Sequence, residues 1–333
     1  VKARKKFEKE HGSIEDKKYV RKWKQVRKAA IAPLDAQTPP GHGRSGLRDE
    51  QHKDGKNVRQ VTTWLKEKSY GDKPFFIALG IQKPHVPFLA PDKYFAMYPK
   101  SELVFTRASL EFWKSAPKIA QTKRYEGFGF QFGVENDKLR REYMQAYHAC
   151  ISFVDAQIGL VLDSLKKSGH WEDTIVVLTS DHGYLLGEKF MWGKVMLFEK
   201  CDRVPLIIRV PKSLKYATTP GVSSEGLVEL VDIFPTLAEL CDVAAPDEVQ
   251  GRSLARMLRD PKAPGKQLAY TVVTRGESLG RAIRTQRFRY TVWPTGEELY
   301  DLAADPYENT NLVASPDHSS TLLALREKLA SAE

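Results

Sequence analysis

The sequence predicts an α/β fold with a smaller antiparallel subdomain at its C-terminal end. A strongly periodic helix over residues 138–168 is followed by an apolar strand over 174–180, which is the alternation of an α/β sheet. A second apolar strand, 204–210, continues that alternation. Because continuous Val/Ile/Leu runs are typical of buried parallel strands, we expect a mostly parallel central sheet flanked by helices. After residue 251 the pattern changes to short strands separated by turns, which predicts an antiparallel meander.

Three segments follow from these changes in pattern. Residues 1–55 form a basic, loop-rich N-terminal segment, in which the turn-rich stretch 38–46 predicts neither helix nor strand. Residues 56–250 form the α/β domain. Residues 251–333 form the antiparallel subdomain, which a helix over 320–329 closes.

Two further elements lie near the start of the α/β domain. A helical pattern begins at Asp54 and ends at Gly71, and the apolar run 73–80 predicts a strand. The later helix over 138–168 carries one apolar stripe at helical spacing, which predicts a core-facing side and not a cofactor site. The stripe consists of Met144, Tyr147, Ile151, Val154, Ile158, Val161 or Leu162, and Leu165.

The bulk composition narrows the class of protein. With 333 residues and 41% hydrophobic side chains, the chain is long enough for a large core. No apolar run approaches the roughly 20 residues that cross a bilayer, so we expect no transmembrane segment, and the N-terminus lacks the apolar part of a secretory signal. The net charge of +10 favours anionic partners such as sulfated glycans or phosphorylated molecules. No nucleic-acid-binding motif accompanies that charge, so we expect no nucleic-acid partner.

The cysteines predict neither a disulfide framework nor a zinc cluster, because Cys150, Cys201 and Cys241 are widely spaced and odd in number. Cys150 lies on an apolar helical face and Cys241 near a helix end, and both are expected to be core thiols. The surroundings of Cys201 leave its location open.

Candidate functional residues gather at the end of the strand over 174–180. Asp181, His182 and Gly183 follow it directly, and ligands collect outside the carboxyl ends of such strands. The carboxylate offers a hard oxygen and the imidazole a nitrogen, so the pair predicts a metal site, with Gly183 allowing a sharp turn. The alternative is an ordinary surface turn, which does not explain the long apolar strand in front of the pair.

Two more candidates lie elsewhere in the chain. Lys194 comes thirteen residues after Asp181 and is a cation suited to an anionic substrate. His85 stands in a loop between Pro84 and Pro87, which restrict the backbone and make the loop a suitable place for a catalytic side chain. A purely structural role is the alternative for this single histidine.

An ordered series of motifs resembles the sulfatase family of the alkaline-phosphatase-like superfamily, most closely its iduronate-2-sulfatase-like branch. The resemblance spans roughly residues 55–315. Its most specific parts are Lys-Pro-His at 83–85, Ser-Asp-His-Gly at 180–183 and Trp-Gly-Lys at 192–194. The other matching stretches are residues 73–80, 147–159, 204–207, 230–237, 251–254, 282–293, 298–302 and 305–306.

The resemblance implies a role for each candidate residue. Asp181 and His182 match ligands of a divalent metal, normally Ca²⁺, in this family. Lys194 matches the lysine that contacts the metal-bound sulfate, and His85 matches the histidine that holds sulfate and protonates the leaving oxygen. The resemblance also implies a sulfated carbohydrate or other sulfate-ester substrate, and export to a periplasmic, extracellular or lysosomal compartment.

The family pattern is incomplete in this sequence. Sulfatases carry an aspartate pair and a Cys-x-Pro-Ser-Arg or Ser-x-Pro-Ser-Arg segment whose Cys or Ser becomes the nucleophilic formylglycine, and neither precedes His85. We therefore expect the chain to be the C-terminal two-thirds of a sulfatase, with residues 56–250 as the later part of its catalytic domain. Since Ca²⁺ takes about 6 to 8 oxygen ligands, Asp181 and His182 alone are expected to hold it weakly. The isolated chain is expected to be inactive.

Three functional hypotheses result. The first is a sulfuric ester hydrolase that needs the upstream segment for activity. The second is a phosphoester or phosphonate hydrolase of the same superfamily, for which Asp and His ligands suit zinc better than calcium. The third is a truncated protein that binds sulfated glycans without cleaving them.

Overall fold

The computed structural model describes residues 2–11, 13, 19, 22, 23, 25, 26, 41–122, 124–214, 218 and 221–332. Much of the predicted basic segment, and the first residues of the turn-rich stretch, lie outside the described residues. The helices are α1 Lys2–His11, α2 Lys53–Glu67, α3 Asp92–Phe95, α4 Glu111–Ser115, α5 Asp137–Lys167, α6 Glu199–Asp202, α7 Ile233–Leu240, α8 Ala255–Arg259 and α9 Ser319–Ala330. The strands are β1 His42–Arg44, β2 Phe88–Ala90, β3 Val176–Thr179, β4 Leu185–Leu186, β5 Trp192–Gly193, β6 Leu206–Arg209, β7 Ala269–Arg275, β8 Ser278–Arg284, β9 Phe288–Trp293 and β10 Gly296–Asp301.

The longest helix, α5, has the sequence signals that start and stop a helix. The Asn136 side chain accepts a hydrogen bond of 3.1 Å from the Leu139 backbone nitrogen, which satisfies a free N–H group of the first turn. Just beyond the last turn, Gly169 takes a positive φ of 87°, a conformation that glycine adopts readily at a helix end. The helix predicted over 138–168 is therefore confirmed.

The buried side of α5 differs in part from the predicted stripe. Met144 and Leu165 are buried as predicted, but Ile151 is 42% exposed. Because α5 is apolar on more than one side, its periodicity alone did not identify the side that faces the core. The remaining buried apolar side chains of α5 are Tyr143, Ala146, Ala149, Cys150 and Phe153.

Helix α5 is also long and apolar enough to cross a membrane when judged by length and composition alone. Its Tyr143 and Phe153 side chains are fully buried in an aromatic cluster, and Leu165 packs with Val61 and Leu65 of α2. Buried core helices show the same composition, so we assign α5 to the core of this protein.

The strands of the α/β part pair two by two among the described residues. β1 and β2 are parallel, whereas β3 pairs with β6, and β4 with β5, in antiparallel orientation. Helices and sheets combine as the predicted α/β class requires. The prediction of a parallel neighbour for β3 is wrong, because its partner β6 runs antiparallel, with Val177 opposite Ile208. A continuous apolar run carries no information about the direction of the neighbouring strand. It did not predict burial here either, since the residues of β3 and β6 are half-buried or exposed.

Two local predictions near the start of this part are also wrong. Residues 73–80 form no strand among the described residues, although Phe75, Ile77 and Leu79 pack against α2 and α5. Residues 42–44, for which no strand was expected, form β1 because β2 supplies a parallel partner. In both cases a distant partner, and not local propensity, decides the assignment.

The C-terminal subdomain is the predicted antiparallel meander, in the order β10-β9-β8-β7. Its side chains alternate between two faces, as strand geometry requires. On one face Ile283 packs against Leu325 of α9, the predicted closing helix. On the other face Ala282 and Trp293 pack against Phe198, which directly precedes α6. The sheet therefore lies between its own terminal helix and the α/β part.

A buried charge network ties this sheet to α6. The guanidinium of Arg289, which is 2% exposed, lies 2.7 Å from both Glu199 and Asp202 and 3.0 Å from Glu308. Arg284 adds a second cation 3.2 Å from Glu199. Burial raises the pKa of Asp202 to about 7, against the attraction of Arg289. Since buried charges are costly unless paired, the network holds the sheet and α6 in one relative position.

The three cysteines are free thiols. Cys150 and Cys201 are buried, so the prediction for Cys150 is confirmed. Cys241 is exposed, and its predicted core position is wrong. It follows α7 at the helix end, where a turn brings the chain to the surface.

Candidate functional site

An aromatic cluster on α5 gathers the segments that carry the predicted site residues. We call it the aromatic floor, and it comprises Phe88, Tyr143, Tyr147, Tyr184 and Trp192. The Phe88 ring centroid lies 5.4 Å from that of Tyr147 and 5.9 Å from that of Tyr184, and the Tyr143 and Trp192 centroids are 5.4 Å apart. Each floor residue outside α5 lies two or three positions from a predicted site residue: Phe88 from His85, Tyr184 from His182, and Trp192 from Lys194.

A short hairpin joins the Asp181–His182 pair to the Lys194 segment. Leu185 of β4 pairs with Gly193 of β5, the residue directly before Lys194. A side chain built at Gly193 would come within 3.9 Å of the Tyr184 hydroxyl, so Tyr184 reaches across the hairpin to the Lys194 segment. Burial raises the pKa of Tyr184, which keeps this hydroxyl protonated at neutral pH.

The Asp181–His182 pair presents two groups with free electron pairs. Nδ1 of His182 lies 2.8 Å from the Gly183 carbonyl oxygen, which can only accept a hydrogen bond, so Nδ1 carries the proton. Nε2, the nitrogen left for a metal, lies 3.5 Å from the Asp181 carboxylate. The Asp181 side chain is 84% exposed. This donor set fits two ligands of a divalent cation.

Gly183 is required for a close approach between two backbone segments. A β-carbon there would overlap the Lys200 carbonyl oxygen. The backbone nitrogen of Gly183 donates to the Cys201 carbonyl at 2.7 Å, and that of Tyr184 donates to the Lys200 carbonyl at 2.9 Å. Its φ lies outside the left-handed region, so the predicted reason, a sharp turn that only glycine allows, is replaced by steric exclusion.

His85 is exposed at the end of its loop. Its Nδ1 lies 2.7 Å from the Val86 carbonyl oxygen and therefore donates to it. This bond fixes the orientation of the ring and leaves Nε2 as the nitrogen that can exchange a proton with a ligand.

A buried carboxylate fixes the loop in front of His85. Asp54, in the first turn of α2, is 2% exposed and accepts hydrogen bonds of 2.8 and 2.9 Å from the backbone nitrogens of Gln82 and Lys83. The Lys83 ammonium donates to the His85 carbonyl at 3.2 Å, and burial lowers the pKa of this lysine. Helix α2 thus determines where the His85 loop lies.

Lys194 is half-buried, and its Nζ makes no hydrogen bond or ion pair within the described part of the chain. Its backbone carbonyl accepts a 2.9 Å hydrogen bond from the exposed Arg124. The ammonium group is therefore available to an anion, while its backbone is held in place.

The structure brings the three predicted segments to one floor, but it does not link their functional side chains directly. Across residues 41–122, 124–214 and 221–332, no hydrogen bond or ion pair joins His85, Lys194 and the Asp181–His182 pair. No group of three or more His, Cys, Asp or Glu side chains that could hold a metal occurs among the described residues. The sequence analysis did not identify Tyr184 or Arg124 as site residues. The one sequence signal for the floor was the aromatic residue that lies near each motif.

Comparisons with known proteins agree with the motif series. The family model described as Sulfatase matches residues 6–243. A second model, described as N-sulphoglucosamine sulphohydrolase, C-terminal, matches residues 187–333. The two matches together cover both parts of the described fold.

Two curated relatives illustrate the similarity. A protein named Sulfatase from Formosa agariphila is 35% identical over 277 residues, covering 81% of this chain and 52% of that protein. Iduronate 2-sulfatase of Mus musculus is 26% identical, covering 89% of this chain and 66% of that protein. The chain thus spans about half to two thirds of the length of these relatives.

The fold is also found in solved structures. The phosphonate monoester hydrolase of Agrobacterium radiobacter superimposes with a TM-score of 0.74 at 25% identity, covering 92% of this chain and 68% of that chain. This likeness confirms the predicted α/β fold of the sulfatase and alkaline-phosphatase-like type. Since the first family model covers well over half of the sequence, the chain belongs to the sulfatase family.

Proposed function

We propose that this chain supplies the sulfate-binding and proton-donating part of a sulfuric ester hydrolase. The observation that carries the proposal is the aromatic floor, on which the His85 loop, the Asp181–His182 pair and the Lys194 segment converge. Membership of the sulfatase family and the net charge of +10 support it.

Lys194 and His85 have separate roles in this proposal. The Lys194 ammonium neutralises the sulfate oxygens as negative charge shifts onto them in the transition state. Nε2 of His85 delivers the proton that a departing sugar alkoxide must gain. The hydrogen bond from Nδ1 to the Val86 carbonyl holds the ring in the orientation that this transfer needs.

We further propose that Asp181 and His182 are two ligands of a bound Ca²⁺, which would act as a Lewis acid on the sulfate oxygens. Asp181 supplies a carboxylate oxygen and His182 the lone pair of Nε2. The other ligands and the formylglycine nucleophile would come from residues outside this sequence. Residues 1–333 alone would therefore bind the cation weakly and turn over no substrate.

For the substrate we propose a sulfated carbohydrate with an iduronate-2-sulfatase-like specificity, because an iduronate 2-sulfatase is among the relatives. By the same analogy we propose that the protein is exported from the cytoplasm.

The test compares para-nitrophenyl sulfate with para-nitrophenyl phosphate as substrates, each with Ca²⁺ or Zn²⁺. It uses residues 1–333 and the longest protein that the gene encodes. We expect the longer protein to prefer the sulfate ester, and His85→Ala and Lys194→Ala to lower its kcat/KM by about 100-fold or more. Lys212→Ala, which removes an exposed lysine away from the floor, should leave kcat/KM unchanged.

Three outcomes would contradict the proposal. The first is a preference of the longer protein for phosphate over sulfate. The second is unchanged turnover in Lys194→Ala. The third is salt-sensitive heparin binding by the longer protein without any turnover, which would favour a non-catalytic glycan-binding protein.

A phosphonate or phosphoester hydrolase is the second candidate. The superposition on a phosphonate monoester hydrolase favours it, because that structure covers 92% of this chain. A Zn²⁺-dependent preference for phenyl phosphonate esters over sulfate esters would select this candidate.

A further inference from the structure

The backbone around Lys194 is held by side chains at three consecutive carbonyl groups. The Gly193 carbonyl accepts a weak hydrogen bond from the Cys201 thiol at 3.8 Å. The Lys194 carbonyl accepts from Arg124 at 2.9 Å, and the Val195 carbonyl accepts from Arg275 at 3.3 Å. The three donors come from separate parts of the chain, and each holds a different carbonyl of the segment.

This segment would not keep its conformation without such support. Val195 has a φ of 66°, in the left-handed region that a β-branched residue strongly disfavours. Lys189 and Phe190, in the turn between β4 and β5, also have positive φ values of 57° and 52°. Conformations of this kind persist where the surrounding structure determines them, and they cluster at functional sites.

Arg275 is the donor best suited to act as a fixed reference point. It lies at the end of β7, and its Nη1 donates to the carbonyls of Ile119 and Gln121 at 2.6 and 3.1 Å. Its guanidinium carbon lies 5.4 Å from the centroid of the Trp293 ring, which belongs to the same sheet. With one nitrogen bound to the 119–121 segment, the other reaches the Val195 carbonyl in a fixed geometry.

The chain on either side of Lys194, at Lys189 and Glu199, also binds the antiparallel subdomain. The buried Lys189 ammonium donates to the carbonyls of Tyr307 and Glu308, and the Glu199 backbone nitrogen donates to the Glu308 carboxylate at 3.0 Å. The antiparallel subdomain therefore contacts the chain before Lys194, directly next to it and after it. No comparable role follows from the sequence of the subdomain alone.

We propose that Arg275 is a positioning residue for Lys194: it holds the Val195 carbonyl and thereby sets where the Lys194 ammonium lies. The proposal rests on the proposed function, since it assigns to the antiparallel subdomain the task of placing the sulfate-binding lysine. Arg124 assists by holding the Lys194 carbonyl. A purely structural arginine would contribute to stability without affecting Lys194 in the folded protein.

The experiment uses residues 1–333 with ¹³C-methylated lysines, and the Lys194 methyl signal is assigned by its loss in Lys194→Arg. In Arg275→Gln we expect this signal to move toward the position of freely exposed lysines. Amide exchange at the buried Met196 and Leu197 should become faster on the order of tenfold or more, because a segment released from Arg275 opens to solvent more often. Arg275→Lys, which keeps a cation and one donor, should restore part of both effects.

The matched control is Arg287→Gln, which removes a 61% exposed arginine that pairs with Asp301 and lies in the turn between β8 and β9 of the same subdomain. It should leave the Lys194 signal unchanged. Unchanged Lys194 signals and exchange rates in Arg275→Gln, or equal changes in Arg287→Gln, would overturn the proposal. If Arg275→Gln does not fold, Arg275→Lys decides: one ammonium cannot hold both the 119–121 segment and the Val195 carbonyl, so its Lys194 signal and exchange rates should still differ from those of the wild type, and wild-type values overturn the proposal.

A sulfate titration separates this inference from the proposed function. If added sulfate leaves the wild-type Lys194 signal unchanged, the sulfate-binding role of Lys194 loses its support. The effect of Arg275→Gln on the same signal, measured without sulfate, still decides whether Arg275 positions the residue.

Discussion

Replacing Gly183 by alanine is expected to destabilise the protein by several kilocalories per mole. The new β-carbon would overlap the Lys200 carbonyl oxygen and come within 3.0 Å of its carbonyl carbon, so the two backbone segments must separate. Separation would break the hydrogen bonds from Gly183 to Cys201 and from Tyr184 to Lys200, at about 0.5–1.5 kcal/mol each. With about 1–3 kcal/mol of overpacking strain, the free energy of unfolding should fall by about 2–6 kcal/mol.

Denaturant unfolding of residues 1–333 measures this change, and Gly159→Ala is the matched control. A β-carbon at Gly159, in α5, meets no atom within 4 Å, so this substitution should raise the unfolding free energy by about 0.4–1 kcal/mol. A Gly183→Ala variant that unfolds within about 0.5 kcal/mol of the wild type would refute the close-packing argument.

Three further predictions concern buried groups. Burial raises the pKa of Glu298 to about 7 from its ordinary value of 4.5. Its contribution to stability is therefore present below about pH 4.5 and is lost as the pH rises to 7. When the free energy of unfolding is measured against pH, Glu298→Gln should remove up to about 3 kcal/mol of this pH-dependent change. Arg289→Met removes the cation that Glu199, Asp202 and Glu308 share and leaves Glu199 paired with Arg284. It should cost about 3–5 kcal/mol in denaturant unfolding, and a loss below about 1 kcal/mol would contradict the role of the network. In the native protein a thiol reagent should modify Cys241 alone, because burial raises the thiol pKa of Cys150 and Cys201. Rapid modification of Cys150 or Cys201 would contradict their burial.

Elements whose stability is local or whose partners are adjacent in sequence could be predicted. Helix α5 has its own cap at Asn136, and the strands of the C-terminal meander pair with their sequence neighbours, so both were found. Residues 73–80 and β1 were missed because strand formation depends on hydrogen bonds to a distant partner. The exposure of Ile151 was missed for a related reason: the neighbours of α5 select which of its apolar sides is buried.

In the candidate site, too, the sequence predicted local features but not contacts between distant residues. Residue types and spacing identified His85, Lys194 and the Asp181–His182 pair, and their functional roles stay predictions until turnover is measured. Nothing in the sequence indicated that Tyr184 would pack against Phe88. Nothing indicated that an arginine of the meander would hold the Val195 carbonyl, since the two positions are eighty residues apart.

The sequence by itself determined the family, the α/β class with its antiparallel subdomain, and the chemical groups offered to an anionic ligand. These properties depend on residue identity and on order along the chain. Only the tertiary structure decided that three separate segments meet on one aromatic floor, and that the antiparallel subdomain supports the strained Lys194 segment. The physical reason is that hydrogen bonds and packing act over a few ångströms in space, and separation in sequence does not report that distance.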